Sequence, residues 1–174
     1  MQAIYAKAKR ISLAIFDVDG VLTDGSLYLT DGGEEIKAFN SLDGHGMKML
    51  LENGVAIAII TGRNSASVAM RARELGVTHL YQGVQDKLAA CGDLLGKTGL
   101  RQDQIGYMGD DLPDLALLSR CGFAATVPQA TDAVKQVSHY ISTRDGGHGA
   151  AREVCEFILR AQEKLDAATA AYRT

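Results

Sequence analysis

Tryptophan is absent from this 174-residue chain, proline occurs twice and cysteine three times. Two prolines cannot build a Pro-rich linker, and the chain has no low-complexity tract or internal repeat. The cysteines, Cys91, Cys121 and Cys155, are scattered and odd in number, which excludes a disulfide framework and a zinc knuckle. They read as buried, inert thiols. No apolar run approaches the roughly 20 residues that a bilayer demands. The first ten residues carry Lys7, Lys9 and Arg10 but no signal-peptide core or cleavage site, so a cytoplasmic protein is expected. Neither sign of charge dominates. A net charge of −3 and a pI near 5.8 argue against a nucleic-acid surface.

What is present is an ordinary apolar complement, 47% of residues. At this length it fills one core, and a single domain over residues 1–174 is expected. The pattern runs strand, hairpin, helix, then strand and helix in alternation. Ile11–Phe16, Val55–Ile60, Val77–Tyr81, Ile105–Met108, Phe123–Val127 and His139–Ile141 read as strands. Asp31-Gly32-Gly33 turns a hairpin between Ser26–Thr30 and Glu34–Phe39. Helices are predicted over Leu42–Glu52, from Asn64 or Ser65 to Leu75, over Gln85–Leu95, from about Pro113, over Thr131–Val137, and from near Gly149 to about Ala170. The fold class is therefore α/β: a Rossmann-like parallel sheet with helices on both faces and one β-hairpin inserted after the first strand.

The chemistry concentrates where strands end. Asp17 and Asp19 follow the first apolar run in Phe-Asp17-Val-Asp19-Gly-Val-Leu-Thr23. In α/β folds that edge is where ligands sit. Two crowded carboxylates resist ionising unless a cation neutralises them, which implies a hard divalent ion with oxygen ligands, Mg²⁺ first. The second strand ends in Thr61-Gly62-Arg63, which offers a hydroxyl, a backbone N–H and close backbone approach to an anion near a helix start. Lys87 opens a later helix. The strand after it ends in Gly109-Asp110-Asp111-Leu-Pro-Asp114. Asp111 and Asp114 hold a metal-bound water, brace Lys87 or the loop, or cap a helix. Arg63 and Arg71, eight residues apart, either reach an acidic substrate or lie solvated on a helix face. His45, between Gly44 and Gly46, either touches substrate or sits in a loop.

Asp-x-Asp, Thr, Lys and Gly-Asp-Asp-x-x-Asp in that order resemble the haloacid dehalogenase superfamily of phosphohydrolases, from about Ile11 to Arg160. The resemblance implies an aspartyl-phosphate mechanism. In it Asp17 is the nucleophile, and Asp19 is general acid and then general base. Mg²⁺ is held by Asp17, Asp110 and the backbone carbonyl of Asp19, while Thr61 and Gly62 bind phosphate and Lys87 offsets its charge. Neither Thr23–Gly54 nor Thr61–Lys87 has room for a cap domain, so the capless branch is implied. With Asp43-Gly44-His45-Gly46, Tyr81-Gln82-Gly83 and Gly146–Val154, the motifs look like those of acidic-sugar phosphatases. That implies 3-deoxy-D-manno-octulosonate 8-phosphate as substrate, in lipopolysaccharide precursor synthesis. A nine-carbon acidic sugar phosphate is the alternative. His148 stands where that branch usually has Arg. The branch also implies a homo-oligomer, expected as a tetramer. In it the hairpin Gly25–Phe39 packs between subunits and covers a neighbour's site, which Gly146–Gly149 or the C-terminal tail also closes. The rival class is a non-enzymatic phospho-receiver or regulatory protein, but in a receiver no Gly-Asp-Asp follows the Lys.

Overall fold

The computed structural model describes residues 2–170 and 172–173. In chain order the elements are α1 (Gln2–Lys9), β1 (Leu13–Phe16), β2 (Tyr28–Leu29), β3 (Glu35–Ile36), α2 (Ser41–Glu52), β4 (Ala56–Ile60), α3 (Ala66–Leu75), β5 (His79–Tyr81) and α4 (Lys87–Thr98). They continue with β6 (Ile105–Met108), α5 (Leu115–Leu118), β7 (Phe123–Thr126), α6 (Asp132–Val137), β8 (Tyr140–Ile141), α7 (Ala150–Ala161) and α8 (Leu165–Ala170). Six strands form one parallel sheet, as the sequence predicts, and the structure adds their order, β5-β4-β1-β6-β7-β8. Parallel strands are covered on both faces, which is why Leu-Ala-Ile-Phe of β1 is buried throughout. On one side α1, α2 and α7 pack together; α4, α5 and α6 form a second group.

β1 lies between β4 and β6, where the strand order reverses. Ligands bind outside the carboxyl ends of strands at such a point. Phe16 is level with Ile59 of β4 and Met108 of β6. Asp17, Thr61 and Asp110 therefore leave the sheet within one residue step of a common height.

Some elements depart from expectation. α1 was not predicted; its eight residues fold because Ala8 is buried and Tyr5 meets the Phe157 ring edge-on at 4.9 Å. The long C-terminal helix is two helices. Glu163 takes a left-handed φ of 61°, and the Gln162 and Lys164 side chains reach the carbonyls of Ile11 and Asn53 at 2.7 Å each. Those two bonds offset the left-handed residue and pin the helix end under the sheet. The hairpin strands are two residues each, with Gly33 at φ 83° in the predicted turn. Pro113 falls in a single 3₁₀ turn, Leu112–Asp114, ahead of α5.

α7 begins after Gly149, which has no side chain to cap it. Asp43 on α2 supplies the acceptor from 106 residues away, bonding the N–H of Gly149 at 3.2 Å and of Arg152 at 2.8 Å. Burial raises the Asp43 carboxyl, and those N–H groups oppose the rise. The segment before α7 presses on the loop after β1. Gly147 N–H donates to the carbonyl of Val21 at 2.9 Å, and a Cβ on Gly146 would overlap the carbonyl of Gly20. Within one chain, the glycine-rich segment thus braces its own Asp17–Thr23 loop. His148 is exposed, with Nδ1 2.9 Å from the carbonyl of Gly146.

Candidate active site

An open cleft of about 520 Å³ lies over the carboxyl ends of β1, β4 and β6. Asp17, Asp19, Thr61, Gly62, Arg63, Lys87, Asp110, Asp111 and Asp114 all line it. Loops from three strands and the start of α4 converge there because the sheet reverses at β1.

Asp17 continues β1, its N–H bonded to the carbonyl of Met108 at 2.9 Å, and is 7% exposed. Lys87 Nζ lies 2.9 Å from Asp17 Oδ1 and 2.6 Å from Asp114 Oδ1. A lysine as the first residue of a helix opposes the helix dipole. Here burial lowers the ammonium pKa, but Asp17 and Asp114 more than reverse that and hold it raised. Burial pushes Asp17 up to about 6, with Lys87 pulling it down and Asp114 pushing it up. Asp110 is pushed up to about 7 by burial and by Asp17, Asp114 and Asp111.

These acids fit a cation. Oxygens of Asp17, Asp110 and Asp114 lie within 4.8 Å of one another. Asp110 Oδ1 is buried with no hydrogen-bond partner, an atom that a metal ion would satisfy. Asp114 is not free to be a ligand. Its Oδ1 takes Lys87 Nζ and the Tyr107 hydroxyl at 2.5 Å, and its Oδ2 takes the N–H groups of Asp110 at 3.0 Å and Asp111 at 3.1 Å. Of the alternatives open for it, Asp114 braces Lys87 and the loop. Asp111 stands exposed at the cleft mouth. Gly20, at φ 87°, has its missing Cβ aimed at the Asp110 carboxylate, so any side chain there would displace it.

Thr61 is 2% exposed, but its N–H already bonds the carbonyl of Tyr81 at 2.9 Å. Only its hydroxyl remains for a ligand, which corrects the expectation that both were available. α3 begins at Ala66 with Ser65 as its N-cap, as the sequence predicts, and the Ser65 N–H is held by Gln82 Oε1 at 2.8 Å. A Cβ on Gly62 would meet only the carbonyl of Val84, at an ordinary 3.6 Å. The fold itself does not demand glycine at 62, so any need for it lies with the ligand.

Arg71 and His45 do not line this cleft. Arg71 pairs with Glu74 at 2.8 Å and reaches the carbonyl of Asn40, covering Gly44 at a separate small cavity with Val18 and Asp43. His45 lies on α2 with its ring 5.1 Å from that of Tyr172. Arg71 thus faces α2 at Gly44, whereas His45 faces Tyr172.

Two residues of the hairpin join the site unannounced. Lys37 Nζ contacts Asp19 Oδ1 and lies 2.9 Å from Glu35 Oε1. Glu35 Oε2 lies 2.5 Å from Arg63 Nη2, and Lys37 and Arg63 together hold its carboxyl below the usual range. The sequence signal was the alternation Glu35-Ile36-Lys37, which puts both charges on one face of a strand.

Residues 74–154 match the haloacid dehalogenase-like hydrolase family. The chain is 44% identical to the 3-deoxy-D-manno-octulosonate 8-phosphate phosphatase KdsC of Yersinia pestis, over 95% of this chain and 89% of that protein. It therefore belongs to the haloacid dehalogenase-like hydrolases. The same-named phosphatase of Escherichia coli strain K12 is 45% identical over 95% of this chain and 88% of its own length. The crystal structure of 3-deoxy-D-manno-octulosonate 8-phosphate phosphatase from Moraxella catarrhalis, in complex with magnesium ion, phosphate ion and a KDO molecule, superposes with a TM-score of 0.97. It is 48% identical and covers 99% of both chains.

Proposed function

We propose that this protein removes phosphate from 3-deoxy-D-manno-octulosonate 8-phosphate through an aspartyl-phosphate, in lipopolysaccharide precursor synthesis. The observation that carries the reading is the pairing of Asp17 with Lys87 at 2.9 Å beside the partnerless buried oxygen of Asp110. Asp17 Oδ attacks phosphorus, and the bond from phosphorus to the sugar oxygen breaks. Asp19 gives its proton to that oxygen, then takes one from the water that cleaves the acyl phosphate. Thr61 donates its hydroxyl to a phosphoryl oxygen, and Lys87 balances the charge of phosphate and nucleophile. Mg²⁺, held by Asp17, Asp110 and the carbonyl of Asp19, neutralises the acids and the phosphoryl oxygens when bound. In this reading Arg63, about half exposed at the cleft, holds the sugar carboxylate with the guanidinium nitrogen that Glu35 leaves free.

The test is a phosphate-release screen with eight- and nine-carbon acidic sugar phosphates and glucose 6-phosphate. The octulosonate is expected to be preferred, with activity lost in EDTA and poorly restored by Ca²⁺, whose longer bonds and higher coordination spoil the geometry. Equal efficiency on glucose 6-phosphate, preference for a nine-carbon sugar, or full activity in chelator would each overturn the corresponding part. Absence of turnover would favour a receiver.

We also propose a cytoplasmic, single-domain protein over residues 1–174 that binds neither nucleic acid nor membrane and assembles as a homotetramer. No helix among the described residues is long and apolar enough to cross a membrane. The hairpin is inside out for a lone chain: Leu29 and Ile36 are 64% and 57% exposed, while the Lys37 side chain is 1% exposed. An isolated hairpin is marginal in water, and a neighbouring subunit would cover that apolar face. Leu29→Glu with Ile36→Glu is expected to give a smaller species by light scattering. Unchanged mass would remove the hairpin from the interface.

A further inference from the structure

We propose that Lys37 is a positioning residue that fixes the Asp19 carboxylate for proton transfer, with Glu35 and Arg63 fixing Lys37 in turn. The inference rests on the reading above, in which Asp19 is the acid and base.

Four side chains from three separate segments close a ring of alternating charge. Lys37 Nζ touches Asp19 Oδ1 and lies 2.9 Å from Glu35 Oε1. Glu35 Oε2 lies 2.5 Å from Arg63 Nη2, and Arg63 Nε lies 4.0 Å from Asp19 Oδ2. Lysine is usually a solvated point charge on a flexible stem. Here its side chain is 1% exposed, and both partners are carboxylates. A buried charge stays where its counter-charges are, because leaving them uncovers it. Lys37 therefore anchors Asp19 by Oδ1, while Oδ2, with Arg63 Nε too far away at 4.0 Å for a hydrogen bond, is left for proton transfer. A general acid must sit within about 3 Å of the oxygen it protonates, so holding one rotamer matters. Lys37 does not line the cleft, whereas Lys87 does and touches Asp17. It acts through Asp19, not on the phosphoryl group. The hairpin thus has an inward duty, carried by Glu35 and Lys37, besides its apolar outer face.

The test compares two leaving groups. An alkyl phosphate needs the leaving oxygen protonated, whereas p-nitrophenyl phosphate releases a stable phenolate that hardly does. kcat/KM reports the steps up to aspartyl-phosphate formation, where Asp19 serves as acid. Lys37→Met is expected to shift the alkyl-to-aryl ratio of kcat/KM against the alkyl phosphate by about tenfold or more. Asp19→Asn should shift it further the same way, and Lys37→Arg should restore part of it. Should Lys37→Met fail to fold, Glu35→Gln, which frees Lys37 from its second partner, should give a smaller shift in the same direction. An unchanged ratio for the Lys37 and Glu35 variants, with Asp19→Asn selective, would overturn the role of Lys37 alone. An unchanged ratio for Asp19→Asn would overturn both that role and the reading beneath it.

Discussion

Asp17→Asn is expected to cut steady-state phosphate release by on the order of 10⁴ or more while the fold persists. The amide keeps the shape of the carboxylate but loses the anionic oxygen that attacks phosphorus. In the native site that oxygen is held ready. Burial lifts Asp17 to about 6, and Lys87 at 2.9 Å favours the ionised form at neutral pH. The fold does not depend on the charge. The strand bond from Asp17 N–H to Met108 remains, and Lys87 keeps Asp114 at 2.6 Å. Circular dichroism should match the wild type, and acid-quenched protein should carry no phosphate. Activity within about tenfold of wild type would overturn the assignment of the nucleophile.

The acids at strand ends were legible because two simple rules coincide there. Buried parallel strands read as apolar runs, as with Ile-Ala-Ile-Ile before Thr61, and polar residues placed directly after them face the ligand edge. Glu35 and Lys37 were hidden for the opposite reason. They lie on a short surface hairpin, where charges normally face water and apolar residues face inward. This hairpin reverses that, and only the fold shows what lies under it. Arg71 lies outside this chain's own cleft because Arg63 precedes the helix, so the two do not share one helix face, and Arg71 turns toward Glu74. Asp43 was visible as a motif, but its work as the cap of α7 depends on a residue 106 positions away. The break at Glu163 left no mark, since Gln-Glu-Lys-Leu is good helix sequence and tertiary bonds decide it.

Lys87→Met is expected to damage stability as well as reaction, with turnover down on the order of 10³. Its ammonium sits between Asp17 and Asp114 with 5% of the side chain exposed. Removing one member of a buried ion pair leaves the others uncompensated, at a cost of about 3–5 kcal/mol. The loss should depend on pH in a definite direction. Asp17 at about 6 and Asp110 at about 7 stand above their ordinary 3.8. For such groups the stability gained from the protonated folded form is complete below about pH 4 and is lost as pH rises through 6 and 7. Without Lys87 only the Val18 N–H still pulls Asp17 down, so its ionisation becomes costlier still. The stability deficit of Lys87→Met in EDTA should therefore be small at pH 5 and large at pH 8, as read by urea unfolding. Equal deficits at the two values would mean that Asp17 and Asp110 are not the source. A divalent cation supplies part of the missing positive charge to Asp17 and Asp110, so saturating Mg²⁺ should narrow the gap at pH 8 and leave pH 5 nearly unchanged. Turnover should stay low, because the cation cannot stand where the ammonium stood between Asp17 and Asp114.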